Sequence, residues 1–442
     1  MFETIRNAFK IKEVRSKILY TLLFVLLFRV GCFIQIPGIN TAHLAEQFAN
    51  SSMTMSSILN AITGNALQNG TLFALGISPY INSSIIMQLL TVAIPALEKL
   101  SKQGEEGKKK INMITRWVTL ALAIISAVGI VFALGGSAAF DTTWLSADKD
   151  IVAFFSNNIW VMYVYVIAIL VAGSMLCMWL GERITEYGIS NGISMIIFVG
   201  ILSTAGSAIF TAIGGGNWWQ LGVFLVTVVL IFAFIVWVDG AERKLRVQYA
   251  KQVKGNKMYG GQSTFIPVKV NASGVMPIIF ASSIATFPTM IIQTFGGDGK
   301  FGMWWTKWMG TTSPVYQVVM AILILAFAYF YSQIQFNPIE ISKNIQQNGG
   351  FIPGIRPGRE TSEYLHKVIS RITLWGALFL AIIALVPSIL FMIPTWVGGA
   401  TDTQLISSLS TTGMLIIVSV TLEFHKALEN QIMMRHYKGF LK

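Results

Sequence analysis

Two apolar stretches carry side chains able to hydrogen bond, at matching places in the chain. One reads GISPYINSSIIMQLL from Gly76 and supplies Asn82, Ser83, Ser84 and Gln88. The other reads GVMPIIFASSIATFP from Gly274 and supplies Ser282 and Ser283. Both open on Gly-x-x-Pro. Hydrogen bonds between helices in lipid are worth about 0.6–2 kcal/mol. That suits a latch that opens and closes, and it equally suits fixed bonding between helices. Catalytic chemistry has less to build on. GISNG at 188–192 fits Gly-x-Ser-x-Gly, which as a nucleophile elbow needs a preceding strand and a histidine–acid pair. All four histidines (His43, His366, His425 and His436) lie outside the apolar stretches. Ser190 therefore reads as part of a glycine-rich helix entry. No Walker A, HExxH or paired-cysteine motif occurs, and Cys32 and Cys177 stand apart in apolar stretches. Neither a metal nor a cofactor is expected.

The elements that position these residues are membrane helices. The 442 residues are 54% hydrophobic and only 12% charged, about half the charge of a soluble protein. Ten apolar spans can be read: 18–36, 76–97, 115–136, 157–180, 187–209, 218–238, 272–295, 314–335, 372–393 and 403–422. No signal-peptide pattern precedes the first. Of the 32 Lys and Arg, 28 fall in the terminal arms and the connections after spans 2, 4, 6 and 8, counting Arg116 at the edge of span 3. Three lie in the other connections. The positive-inside rule then puts both termini in the cytoplasm. The twelve Trp follow the same division. Trp144, Trp160, Trp218, Trp219, Trp304, Trp305, Trp308 and Trp396 mark the outer side, and Trp117, Trp179, Trp237 and Trp375 the inner.

Arg29 is the one charge well inside a span, at a cost of about 2.5–3.5 kcal/mol or more at the bilayer centre. It reads as a snorkelling or helix-packing residue. No Asp, Glu or His accompanies it, which disfavours proton- or metal-coupled transport and leaves cation coupling through carbonyls open. An uncharged pathway would be lined by aliphatic groups such as Ile81, Ile85, Ile193, Ile197 and Ile279, residue types that ordinarily pack or face lipid. Ten spans divide five plus five, and an odd-numbered half implies inverted repeats with spans 2 and 7 in equivalent positions.

Three connections are more than loops. Residues 37–75 lie outside and contain a semi-apolar segment, Met53–Leu67, too short to span. Within 239–271, Leu245, Val247 and Tyr249 alternate with Lys244, Arg246 and Gln248, and Thr264–Val270 forms a second β-rich run. A basic hairpin is expected there. In 336–371, Asn337-Pro338 starts a helix, Gly349-Gly350 ends it, and FIPGIRPG displays Arg356. The expected organisation is an arm at 1–17, a first half at 18–209, a second at 210–422 and a tail at 423–442.

Over nearly its whole length the chain resembles the SecY family of channel subunits. The resemblance rests on ALGISPYINSSIIMQLLT at 74–91, KQGEEGKKK at 102–110, MWLGERITEYGISNGISMIIF at 178–198 and RKLRVQYAK at 243–251. It continues in GGQSTFIPVKVNASGVMPIIFASS at 260–283, GGFIPGIRPG at 349–358 and the tail from Leu422 to Lys442. It implies an all-α membrane protein whose ten transmembrane helices form two inverted five-helix halves, a clamshell around an hourglass pore. It further implies a pore ring at Ile81, Ile85, Ile193, Ile197, Ile279 and Ile416. Spans 2 and 7 become a lateral gate carrying Asn82, Ser83, Ser84, Gln88, Met276, Ser282 and Ser283. The outer segment resembles a plug, with Met53, Ile58, Leu59, Ile62 and Leu67 as its apolar residues. Arg243, Lys244 and Arg356 match positions that meet the SecA motor or the ribosome. The implied function is passage of unfolded preproteins across the bacterial cytoplasmic membrane and release of helices into lipid. SecE and SecG are the implied partner subunits, and signal sequences the implied gate ligands. A partner would supply the energy, so no enzymatic activity is expected of this chain. Read without the resemblance, a secondary solute carrier with inverted repeats is the alternative.

Overall fold

The computed structural model describes residues 6, 8–39, 41, 63–133, 159–214, 218–249, 252–254, 257–259, 263–271, 274, 276–296, 299–309, 313–396 and 411–439. The helices are α1 (Lys12–Gly31), α2 (Ser78–Ala93), α3 (Pro95–Ser101), α4 (Glu105–Ala133), α5 (Ile159–Tyr187), α6 (Gly192–Gly214) and α7 (Trp218–Asp239). They continue with α8 (Met276–Gly296), α9 (Lys300–Met309), α10 (Pro314–Gln335), α11 (Pro338–Gln347), α12 (Arg359–Trp396) and α13 (Thr411–Gly439). The strands are β1 (Glu242–Tyr249), β2 (Gln252–Lys254), β3 (Lys257–Tyr259), β4 (Ser263–Lys269) and β5 (Gly350–Phe351).

Where its residues are described, each span read from the sequence overlaps a helix, though several helices outrun their span. α12 begins at Arg359, well before residue 372, and α13 runs on to Gly439 as one helix with the tail. Apolarity marks only the part of a helix that meets lipid, so polar extensions escape it. Among the described residues, five helices are long and apolar enough to cross a membrane, or six if α2 and α3 count as one span. That pair is bent by 104°. Pro95 lacks an N–H and holds Ile94 in an extended conformation (φ −104°, ψ 113°), so the helix stops and restarts. Leu22, Leu23 and Leu26 of α1, and Val229, Leu230 and Trp237 of α7, are exposed. This is a multi-pass membrane protein, and such faces belong in lipid.

The chain divides into two compact units. The first comprises Met1–Gly222, Thr286–Thr311 and Thr401–Lys442. In it α5 is central, packing against α1, α4 and α6, while α2 lies on α4 and α13 on α6. Small residues allow these approaches. A Cβ at Gly173 of α5 would stand 1.9 Å from the Leu72 carbonyl oxygen, and one at Gly192 would stand 2.0 Å from that of Gly181.

The second unit comprises Val223–Ala285 and Thr312–Ala400. There α10 packs along α12, with Ser332 Oγ and Thr373 Oγ1 bonded at 2.7 Å in the buried contact. The expected hairpin is present as β1 and β4, antiparallel, with Arg243 opposite Val268 and Val247 opposite Thr264. β5 adds a third strand that the sequence pattern does not announce, pairing Gln248 with Phe351 and Tyr249 with Gly350. The connection after α7 and the one after α10 therefore form one structure. Leu245, Val247 and Val268 share a core with Ile345 of α11, Ile352, and Leu365 and Ile369 of α12.

Candidate functional site

Helical spacing sorts the residues of α2. Ile81, Ser84, Ile85 and Gln88 stand at i, i+3, i+4 and i+7, one face of a helix. Ile81 and Ile85 are buried, and Gln88 Nε2 reaches Ser84 Oγ at 3.5 Å. Ser83 faces elsewhere: it is fully buried and donates to the Thr115 carbonyl of α4 at 2.7 Å. The polar residues of α2 thus divide between a face shared with the aliphatic residues and a fixed bond to α4. The sequence already held that division in its spacing. Asn82 is half-buried.

In α6, Ile197 is buried and Ile193 half-buried. Ile193, Ile196 and Ile77 converge on Gly181 of α5. Asn191 Oδ1 accepts the Ile193 N–H at 3.1 Å, and Thr185 Oγ1 accepts the Gly192 N–H at 2.8 Å, so the GISNG segment is a capped helix start. Ser190 Oγ is buried with no partner among the described residues. Ile416 is buried in α13, which packs on α6.

Met53, Ile58, Leu59 and Ile62 lie outside the described residues. Leu67 is described and packs with Ile36, Leu75, Val131 and Leu170. The turns that follow are tied to the end of α1, since Ile36 N–H donates to Gly70 and Leu72 N–H to Ile34. Arg29 sits at this junction. Its Nη2 donates to Ser203 Oγ of α6, and its guanidinium lies 5.4 Å from the centroid of the Phe33 ring. Nη1 is buried without an acceptor among the described residues, and it lies where a side chain on Gly64 would go. Of the two roles the sequence allows Arg29, snorkelling and helix packing, it packs here, through a partner 174 positions away.

In the second unit, Ile279, Met276, Ser282 and Ser283 of α8 are half-buried. Ser282 Oγ donates to the Ile279 carbonyl of its own helix at 2.9 Å. The basic residues sit on the strand-and-helix core. Arg243 and Arg246 are exposed on β1, and Lys244, also exposed, lies 3.4 Å from Glu242 Oε1. Arg356 is exposed on a turn pinned from both sides. Thr361 Oγ1 donates to the Arg356 carbonyl at 2.8 Å, and Ser342 Oγ to the Gly358 carbonyl at 2.7 Å. Gly354 and Gly358 take φ of +84° and +105°, values that L side chains avoid. Thr361 and Ser342 carried no motif that would have singled them out.

A family model described as SecY matches residues 71–425. The chain belongs to the SecY family. It is 40% identical over 451 residues to a protein translocase subunit SecY of Streptomyces scabiei, covering all of both chains. It is 39% identical to the corresponding subunit of Thermotoga maritima, covering 100% of this chain and 98% of that one. A solved protein-conducting channel superposes with a TM-score of 0.64 at 18% identity, over 94% of this chain and 92% of the other. Canine Sec61, from a ribosome–channel complex, gives 0.59 at 17% identity, with the same coverage. These two likenesses establish the fold. Membership of the SecY family, whose named relatives are protein translocase subunits, sets aside the hydrolase reading of GISNG; the chain is not an enzyme.

Proposed function

We propose that this chain is the channel-forming subunit of a bacterial protein translocase. The observation that carries the reading is full-length likeness to translocase subunits at about 40% identity. In this reading ten helices cross the cytoplasmic membrane as two inverted halves, with both termini inside. The aliphatic ring closes on unfolded chains of any sequence. An apolar constriction suits that task, because it holds no polar segment tightly and dewets when empty. α2 and α8 are the lateral gate, with Ser84, Gln88, Ser282 and Ser283 nearest in chemistry to a releasable latch. The segment from Met53 to Leu67 is the plug.

Energy comes from partners. The head built from β1, β4, β5, α11 and the start of α12 presents Arg243, Lys244 and Arg356 to the SecA motor or the ribosome. Ribosomal RNA is polyanionic, and basic residues gain affinity for it by counterion release. SecE and SecG complete the membrane complex. The test is an arrested preprotein carrying a photocrosslinker. The expected result is crosslinks to Ile81 and Ile279. Absence of crosslinks, together with saturable solute uptake by vesicles holding this chain alone, would replace the channel with a solute carrier.

A further inference from the structure

Helix α9, KFGMWWTKWM, is separate from every span. Its aromatic residues Phe301, Trp304, Trp305 and Trp308 fall at i, i+3, i+4 and i+7, on one face. Phe301 stacks on Trp304 with centroids 6.0 Å apart and lies 6.2 Å from Trp305. Phe301, Met303, Trp304 and Trp308 are exposed, as are Lys300 and Lys307. Gly302 is buried and Trp305 half-buried, so one side of the helix rests on the protein while Phe301, Trp304 and Trp308 face away.

Water is a poor neighbour for such a face, and so is a protein partner. A ten-residue helix is about 15 Å long, whereas a stable protein interface needs about 800 Å² per partner. Lys beside exposed Trp is the composition of a segment lying at the boundary between headgroups and acyl chains. Only residues 297–299 separate α9 from the end of α8.

We infer that α9 is an interfacial anchor whose Trp304 and Trp308 enter the boundary of the bilayer while Lys300 and Lys307 meet lipid phosphates. It gives the gate helix α8 a grip on the membrane surface close to its C-terminal end. The sidedness, the outer leaflet, rests on the orientation proposed above; the lipid contact does not.

The full chain, with Cys32→Ala and Cys177→Ala, is reconstituted in vesicles of phosphatidylcholine and phosphatidylglycerol. A nitroxide is placed in turn at Trp304→Cys, Trp308→Cys and Lys307→Cys. Oxygen relaxation should dominate at 304 and 308, and relaxation by a water-soluble nickel chelate should dominate at 307. Nickel dominance at all three would overturn the proposal, as would immobilised spectra that neither reagent reaches, which would mean a protein contact. A check without cysteine variants uses lipids brominated near the headgroup. Trp304→Phe/Trp308→Phe should remove part of the quenched fluorescence, and unchanged quenching would count against the anchor. In whole cells, a membrane-impermeant maleimide should reach Lys307→Cys from outside. Reaction only after permeabilisation would overturn the orientation and leave the lipid contact standing.

Discussion

The Ser83 hydroxyl of α2 donates to the Thr115 carbonyl of α4, and the pair is buried. One of the polar residues of α2 is therefore committed to a neighbour inside its own unit. Thr115 also accepts a hydrogen bond from Thr119 Oγ1 at 2.7 Å. Ser83→Ala would leave that carbonyl with a donor, so the loss should stay near 0.5–1.5 kcal/mol. Ser83→Leu forces a branched chain into the contact and should cost about 1–3 kcal/mol. Thermal unfolding of the purified protein should rank parent, Ala and Leu in that order; equal midpoints for Ala and Leu would mean that α2 and α4 are not closely packed.

Arg29 and Gly64 compete for one space. A Cβ at Gly64 would lie 2.7 Å from Arg29 Nη1, and Gly64 has φ of +71°. Gly64→Ala should destabilise the protein through both clash and backbone strain. Arg29→Met removes the clash and leaves the strain, so the double variant should recover part of the loss. A double-mutant cycle on thermal midpoints measures this, with a coupling of about 0.5–3 kcal/mol expected for groups in contact. Strict additivity would refute the contact.

Arg356 offers a way to separate docking from folding. Its side chain is exposed, while its carbonyl holds the buried Thr361 hydroxyl. Arg356→Glu should impair motor-driven translocation with the thermal midpoint unchanged. Thr361→Val removes the hydroxyl that pins the turn and should lower both. Normal export by the Arg356→Glu protein would dismiss the docking role.

Asn337 caps α11, its Oδ1 accepting the Ile339 N–H at 3.2 Å and, more weakly, the Glu340 N–H at 3.5 Å. Replacing such a cap by Ala costs about 1 kcal/mol. Asn337→Ala should speed protease cutting in residues 338–348 more than in the membrane helices.

Gly376 tests the seating of the hairpin on α12. A Cβ there would fall 2.2 Å from the Val270 carbonyl oxygen. The obstacle is backbone, which cannot swing aside as a side-chain tip can. Gly376→Ala should cost about 1–3 kcal/mol and reduce the amount of protein in the membrane. An unaffected level and midpoint would mean that α12 and the end of β4 separate at little cost.

Apolar runs were enough to locate the long apolar helices among the described residues, and period-two alternation and an Asn-Pro start located the basic hairpin and the helix starting at Asn337. Each of those signals is local: a run of some twenty apolar residues, an alternation of period two, a cap followed by proline. The family resemblance assigned the proposed aliphatic ring and the proposed docking role of Arg356 to particular residues. What tertiary structure decided is long-range. Ser83 turned to Thr115, Arg29 reached Ser203, and two connections about a hundred residues apart joined when β5 paired with β1. No window of sequence contains both partners of such contacts. Their geometry appears only when close packing brings helices and strands together, because a buried hydroxyl or an open strand edge takes whichever partner packing places within reach.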